Sequence, residues 1–248
     1  MPRLYVFFAE NRKGQLFPMN SGWLFHCLFV TILPRKMIIG VLSIWTFVFG
    51  ALAIRAHYKG PRILVYLFRP MTMAVTISLV LEAGAQARPA YRAAIAAGLF
   101  ISLVGDVFMI LRKKRFLEGL ICFLVAQVCY TFAFLAGIRL KFSSWTSIPL
   151  LIYAVLVVVI LYPHLGKMRV PVILYILVII TMARTALERA VQLPGTAPLA
   201  AAAGASLFVI SDSILAFDRF VKPFRSAQAF ILSTYFAAQW LIALSVCI

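Results

Sequence analysis

Eight continuous apolar runs, each about 18–22 residues long, constrain the fold more than any other feature of this chain. A helix rises 1.5 Å per residue, so about 20 apolar residues cross the ~30 Å hydrocarbon core of a bilayer. The runs lack the period-two alternation of membrane barrel strands. They predict eight membrane helices, numbered 1 to 8 below, at residues 37–54, 64–83, 93–111, 116–137, 144–161, 170–187, 197–217 and 226–247.

The composition supports the same class of protein. Of the 248 residues, 64% are hydrophobic and 12% are charged, whereas about 25% of the residues in a soluble domain are charged. The predicted fold class is therefore all-α, an integral, multi-pass membrane protein with one transmembrane domain at residues 37–248. The apolar stretch Gly22–Leu33 is too short to span a bilayer. We interpret residues 1–36 as an N-terminal extension and leave an interfacial position for it open.

The net charge of +17 comes from basic residues between the apolar runs. Such residues flank membrane helices and meet anionic headgroups, so the lipid bilayer is the expected partner and nucleic acid is not. The loops after helices 1, 3, 5 and 7 are the more basic, which puts them in the cytoplasm, although the basic N-terminal segment argues for the opposite. The host membrane would be the endoplasmic reticulum in a eukaryote or the inner membrane in a bacterium, and the oligomeric state stays open.

Two aspartates, Asp106 and Asp212, interrupt apolar runs. A charged residue at the centre of a membrane helix costs about 2.5–3.5 kcal/mol on insertion scales. Both aspartates lie near the ends of helices that run in the same direction, helices 3 and 7. We therefore expect the two carboxyls at similar depth, in the same half of the bundle.

Other polar residues fall in that half of the bundle. Ser102 and Ser211 lie close enough in sequence to Asp106 and Asp212 to hydrogen-bond their carboxyls. The remaining candidates lie on helices 2, 4, 6 and 8 and are Arg69, Gln127, Tyr130, Tyr175, Tyr235 and Gln239. Structural roles are the alternative: the aspartates would pair with basic residues to fix helix packing, the glutamines would link helices, and the tyrosines would pack.

A short internal match favours a duplication. Aligning Asp106 with Asp212 sets Ala126-Gln127 against Ala238-Gln239. The offset is four helices, which predicts a parallel 4+4 repeat with its axis along the membrane normal. Sites commonly form where such repeats meet.

The segments "GLFISLVGDVFMI", "FLEGLICFLVAQVCYTFAF", "GASLFVISDSILAFDRF" and "ILSTYFAAQWLIALS" resemble the YhhN family of eight-helix membrane proteins, the lysoplasmalogenases. The resemblance covers about residues 40–248. Two positions depart from the family pattern. The family often has His at the position of Gln127 and Lys at the position of Arg69.

The resemblance implies an ether hydrolase that cleaves the sn-1 vinyl ether of lysoplasmalogens, with Asp106 and Asp212 as the catalytic carboxyls. The products would be a fatty aldehyde and glycerophosphoethanolamine or glycerophosphocholine. A lysophospholipid and water are then the partners, and no cofactor or metal is needed. The cysteines and histidines show no CxxC or HExxH spacing either. We expect the substrate phosphate near Arg69 and the basic run from Arg112 to Arg115.

Vinyl ether hydrolysis passes through an oxocarbenium ion, which suits one neutral carboxylic acid and one carboxylate. The serines beside Asp212 favour Asp212 as the carboxylate and Asp106 as the acid, and the reverse assignment stays open. A proton-coupled lipid or small-molecule transporter that uses the same aspartates as a relay is the alternative function. A structural or lipid-sensing role also remains open. An intramembrane aspartyl protease would need a GxGD motif, but Leu103 replaces its first glycine.

Overall fold

The eight apolar runs form eight helices, because a backbone inside a bilayer must satisfy its own hydrogen bonds. The computed structural model describes residues 8–10, 16–18, 34–83, 88–111, 115–139 and 144–248. The helices are α1 (Arg35–Lys59), α2 (Arg62–Leu81), α3 (Pro89–Leu111), α4 (Phe116–Leu135), α5 (Ser144–Leu161), α6 (Arg169–Gln192), α7 (Thr196–Ala216) and α8 (Ala227–Cys247). All eight are long and apolar enough to cross a membrane. The protein is therefore an integral, multi-pass membrane protein, and the predicted all-α class is confirmed.

Several helices extend beyond their apolar runs. Helix α1 continues to Lys59 and α6 to Gln192, each about one turn past the predicted end. The added residues include Arg, Ala, Glu and Lys, which all favour helix. Hydropathy marks the part of a helix that lies in hydrocarbon, whereas the hydrogen-bonded helix continues into the headgroup region.

The N-terminal segment contains a short antiparallel pair, β1 (Phe8–Glu10) and β2 (Leu16–Pro18), in which Phe8 pairs with Pro18. The chain divides into two units, Met1–Val41 and Leu42–Ile248. The division falls inside α1. An interfacial role for residues 1–36 stays a prediction.

Two helix pairs, α3 with α4 and α7 with α8, approach closely through glycines. A methyl group added at Gly98 of α3 would collide with the ring of Tyr130 on α4. One added at Gly204 of α7 would lie 2.8 Å from Cγ1 of Ile242 on α8. Only glycine permits these contacts, which let both helix pairs pack tightly.

The two glycine contacts are equivalent under the predicted repeat. Gly98 and Gly204 precede their aspartates by the same number of residues. Their contact residues on α4 and α8 follow Gln127 and Gln239 by the same number. The paired packing supports the 4+4 repeat, which stays a prediction.

Aromatic rings fill the centre of the bundle behind the two aspartates. Phe208 of α7 is fully buried and makes edge-to-face contacts with Phe123, Tyr130 and Tyr235, with ring centroids 5.7–6.5 Å apart. Such contacts fix the orientation of each ring. The cluster holds the hydroxyl of Tyr235 towards Asp106, as described next.

Candidate active site

Asp106 is fully buried, and both of its carboxylate oxygens have partners. Oδ1 accepts a hydrogen bond from Nε of Arg69 (2.9 Å) and lies 2.8 Å from Nη2 of the same guanidinium, and Oδ2 accepts a hydrogen bond from the hydroxyl of Tyr235 (2.8 Å). Helices α2, α3 and α8 thus converge on one carboxylate. The charge of Asp106 is compensated by the guanidinium of Arg69, as a buried charge requires.

Asp212 differs from Asp106 in exposure and in its partners. It is half-buried, and its Oδ2 accepts hydrogen bonds from the hydroxyl of Tyr175 and from Nε2 of Gln127 (3.3 Å). The same Gln127 nitrogen donates to the hydroxyl of Tyr175 (2.7 Å). In the described part of the chain, no basic side chain forms an ion pair with Asp212, and none of its residues donates a hydrogen bond to Oδ1.

The serines expected to support the two carboxyls have other partners. Ser211 donates to the carbonyl of Ile231 (2.9 Å), and Ser102 pairs with the hydroxyl of Tyr130 (3.4 Å). A serine side chain has only a few staggered rotamers. In both serines the rotamer points the hydroxyl at an adjacent helix and not at the neighbouring aspartate. Tyrosines on α6 and α8 take the place predicted for the serines.

A polar cavity of about 610 Å³ opens beside Asp212. Its lining comes from α1, α2, α3, α4, α7 and α8, and its polar members are His57, Tyr66, Arg69, Ser211, Asp212, Gln228 and Tyr235. Asp212 is the one acidic side chain among the described residues that line it, beside a histidine and an arginine. Asp106 lies behind Arg69 and Tyr235.

An apolar groove runs along the other side of Asp212, between α4, α5, α6 and α7. Most of its lining is aliphatic or aromatic, and its polar members are Tyr153, Tyr175, Asp212 and Ser213. The groove and the polar cavity share Met109, Phe123, Asp212 and Leu215. Asp212 is the only ionisable side chain among these four, so a carboxyl lies where a polar and an apolar space meet.

Tyr130 and Gln239 lie deeper than predicted. The hydroxyl of Tyr130 donates to Oε1 of Gln239 (2.7 Å), and both side chains are fully buried. Neither residue lines the polar cavity or the apolar groove. This pair links α4 to α8 behind the site, as the structural alternative for these residues predicts.

The basic run after α3 is described only at its end. Arg112 lies outside the described residues, and Arg115 is exposed with its guanidinium 6.0 Å from the ring centroid of Phe108. Arg115 lines neither the cavity nor the groove, and its expected position at the substrate phosphate stays a prediction.

Sequence reasoning missed four polar residues that line the two spaces, namely His57, Tyr66, Tyr153 and Gln228. One of them had a visible signal, because His57 lies in the connection between predicted helix 1 and predicted helix 2, which carries Arg69. No three His, Cys, Asp or Glu side chains converge anywhere in the described part of the chain.

Comparison with known proteins identifies relatives. The membrane protein YhhN of Escherichia coli O6:H1 is 28% identical over 204 residues, 82% of this chain and 94% of the relative. Lysoplasmalogenase TMEM86A of Bos taurus is 38% identical over 154 residues, 60% of this chain and 62% of the relative. Lysoplasmalogenase TMEM86B of Homo sapiens is 34% identical over 165 residues, 62% and 64% of the two chains. The matches thus span less than two thirds of these two lysoplasmalogenases. No solved structure matches the chain.

The family comparison covers the whole candidate site. The model of the YhhN family matches residues 64–246, which include Arg69, Asp106, Asp212 and Tyr235. That range contains seven of the eight helices in full or nearly so. The chain therefore belongs to the YhhN family.

Proposed function

We propose that this protein is a membrane hydrolase that cleaves the sn-1 vinyl ether bond of lysoplasmalogens. The observation that carries the proposal is the position of Asp212, a half-buried carboxyl where the polar cavity meets the apolar groove. A lysoplasmalogen has its vinyl ether between a polar glycerophosphate headgroup and a hydrocarbon chain. The bovine and human relatives named lysoplasmalogenases support the same substrate class.

The reaction begins with a proton transfer from the Asp212 acid to the alkene carbon distal to the ether oxygen. The π electrons form the new C–H bond, and the positive charge is shared between the neighbouring carbon and the ether oxygen. Water adds to that carbon and gives a proton to the Asp212 carboxylate, which restores the acid. The resulting hemiacetal transfers its hydroxyl proton to the glycerol oxygen as the C–O bond breaks, which releases a fatty aldehyde and glycerophosphoethanolamine or glycerophosphocholine.

The contacts favour Asp212 as the acid, the reverse of the assignment preferred from sequence. A charged carboxylate without a cation is costly among apolar side chains, whereas a neutral acid is tolerated. Oδ1 of Asp212 accepts no hydrogen bond from a described residue, so it can carry the proton to the substrate. Tyr175 and Gln127 both donate to Oδ2, and these bonds strengthen as negative charge develops there during proton transfer.

Asp106 acts as the carboxylate of the pair and works through Arg69 and Tyr235. Its ion pair with Arg69 uses Nε and Nη2, and among the described residues none accepts a hydrogen bond from Nη1. Arg69 lines the polar cavity, so Nη1 is suited to bind a substrate phosphate. In this assignment Asp106 positions Arg69 and Tyr235 at the cavity and has no direct contact with the substrate.

The test is aldehyde release from a defined lysoplasmalogen by the protein purified in detergent. Wild type is expected to release aldehyde, and Asp212→Asn is expected to release none. Asp218→Asn is the matched control, because Asp218 lies in the π-helical turn Phe217–Val221 that directly follows α7 but lines neither space. Full activity of Asp212→Asn would refute the proposal. Uptake of intact lipid into proteoliposomes, with no aldehyde formed, would favour the transporter instead.

A further inference from the structure

The apolar groove has an unusual outer wall. Helix α5 forms it and is the least buried of the eight described membrane spans. Ala154 and Val157 face the groove, whereas Val155 and Leu156 are more than half exposed on the outer side of the same helix. In a membrane protein this exposed side contacts lipid chains. One helix therefore separates the groove from the bilayer.

A polar contact holds this wall to the helix that carries Asp212. The hydroxyl of Tyr153 on α5 donates to Oγ of Ser213 on α7 (2.6 Å), and Ser213 in turn donates to the carbonyl of Val209 (2.8 Å). Tyr153 and Ser213 both line the groove, next to Asp212. The contact lies at the point where a chain in the groove would approach the carboxyl.

The groove is narrow in this structure. It encloses about 50 Å³, against about 610 Å³ for the polar cavity. The groove is not a closed cavity, and helix α5, the least buried of the described spans, forms the wall that borders lipid.

We propose that the apolar groove binds the hydrocarbon chain of the lysolipid, which enters from the bilayer on the side of α5, past the Tyr153–Ser213 contact. This inference rests on the proposed function for the identity of the lipid. The lining favours a hydrocarbon chain over a polar headgroup, because Leu120, Val172 and Ile179 offer only apolar contacts. Asp212 borders both the groove and the polar cavity. A chain in the groove would therefore have its first carbons, which carry the double bond, next to the Asp212 acid.

The first experiment compares two neighbouring substitutions on α5. Val157→Trp fills the groove, and Leu156→Trp adds the same side chain on the lipid-facing side. Each buried methylene contributes about fourfold to binding. Val157→Trp is therefore expected to lower kcat/KM for a long-chain lysoplasmalogen by about tenfold or more, with a smaller loss for a short-chain one. Leu156→Trp is expected to match wild type. Equal losses for both chain lengths would overturn the inference.

The second experiment needs no turnover and no variant. A lysophospholipid with a saturated ether chain has no alkene to protonate, and a diazirine near the end of that chain labels what the chain touches. We expect labelled residues on the groove side of α5 and α6 in wild type, mapped by mass spectrometry. Labels confined to outward-facing residues such as Leu156 would overturn the inference. If wild type releases no aldehyde, the proposed hydrolase fails, while the labelling still decides what the groove binds.

Discussion

Arg69 and Asp106 form an ion pair between α2 and α3, with Nη2 of the arginine 2.8 Å from Oδ1 of the aspartate. Asp106 is fully buried, while the arginine side chain keeps 13% exposure at the polar cavity. The pair therefore connects a buried charge to a surface that a substrate can reach. Removing one partner of a buried pair costs far more than the pair contributes, because the remaining charge stays uncompensated.

Arg69→Gln is expected to lower the free energy of unfolding by about 3–5 kcal/mol, since it leaves the Asp106 carboxylate without its cation. Arg69→Gln combined with Asp106→Asn is expected to recover part of that loss, because both charges are gone. Thermal unfolding in detergent measures the two variants and Asp106→Asn alone. Strictly additive effects would contradict the ion pair.

Tyr175→Phe is expected to lower kcat about tenfold to a hundredfold and to leave KM nearly unchanged. The substitution removes a hydrogen bond to Oδ2 of Asp212 that strengthens as the carboxylate forms, and a bond to a charged group contributes about 1.5–3 kcal/mol. Tyr162→Phe is the control, because Tyr162 is exposed and lines neither space. Steady-state kinetics of aldehyde release separate the two constants. Unchanged kcat in Tyr175→Phe would contradict the role given to Asp212.

His57→Ala is expected to raise KM several-fold with kcat unchanged. The imidazole lines the polar cavity together with Arg69, where the proposed function puts the phosphate, so its loss would remove a hydrogen-bond donor from that cavity without touching the carboxyls. His164→Ala serves as the control, because His164 is exposed in the connection after α5 and lines neither space. Steady-state kinetics of aldehyde release measure KM and kcat for both variants. Equal KM values for the two variants would remove His57 from headgroup binding.

Gly98→Ala is expected to destabilise the protein by about 1–3 kcal/mol, the range for overpacking a core. The new methyl group collides with the ring of Tyr130 and pushes its hydroxyl away from Gln239. Gly204→Ala is expected to act similarly at Ile242. Gly40→Ala, with nothing within 4 Å of the added atom, is the control. Melting temperatures in detergent that are equal for all three variants would contradict the close packing.

The sequence predicted the group of residues around the two aspartates better than the individual contacts. Four residues of that group hydrogen-bond to Asp106 or Asp212, namely Arg69, Gln127, Tyr175 and Tyr235. The equal depth of the two carboxyls stays a prediction. Tyr130 and Gln239 were predicted in the same half of the bundle as the aspartates, yet they hydrogen-bond to each other and line neither space. Helical periodicity tells which residues share a face, but it does not tell which neighbouring helix that face meets.

The sequence by itself determined the eight membrane-type helices of the described residues and the membrane class. Bilayer thickness sets the length of an apolar run, so hydropathy carries this information along the chain. Only the tertiary structure decided that Asp106 has a cation and Asp212 has none, and that a polar cavity and an apolar groove meet at Asp212. These features depend on the rotation and spacing of helices far apart in sequence. Close contacts such as those at Gly98 and Gly204 set that geometry, and no pattern within a single helix records it.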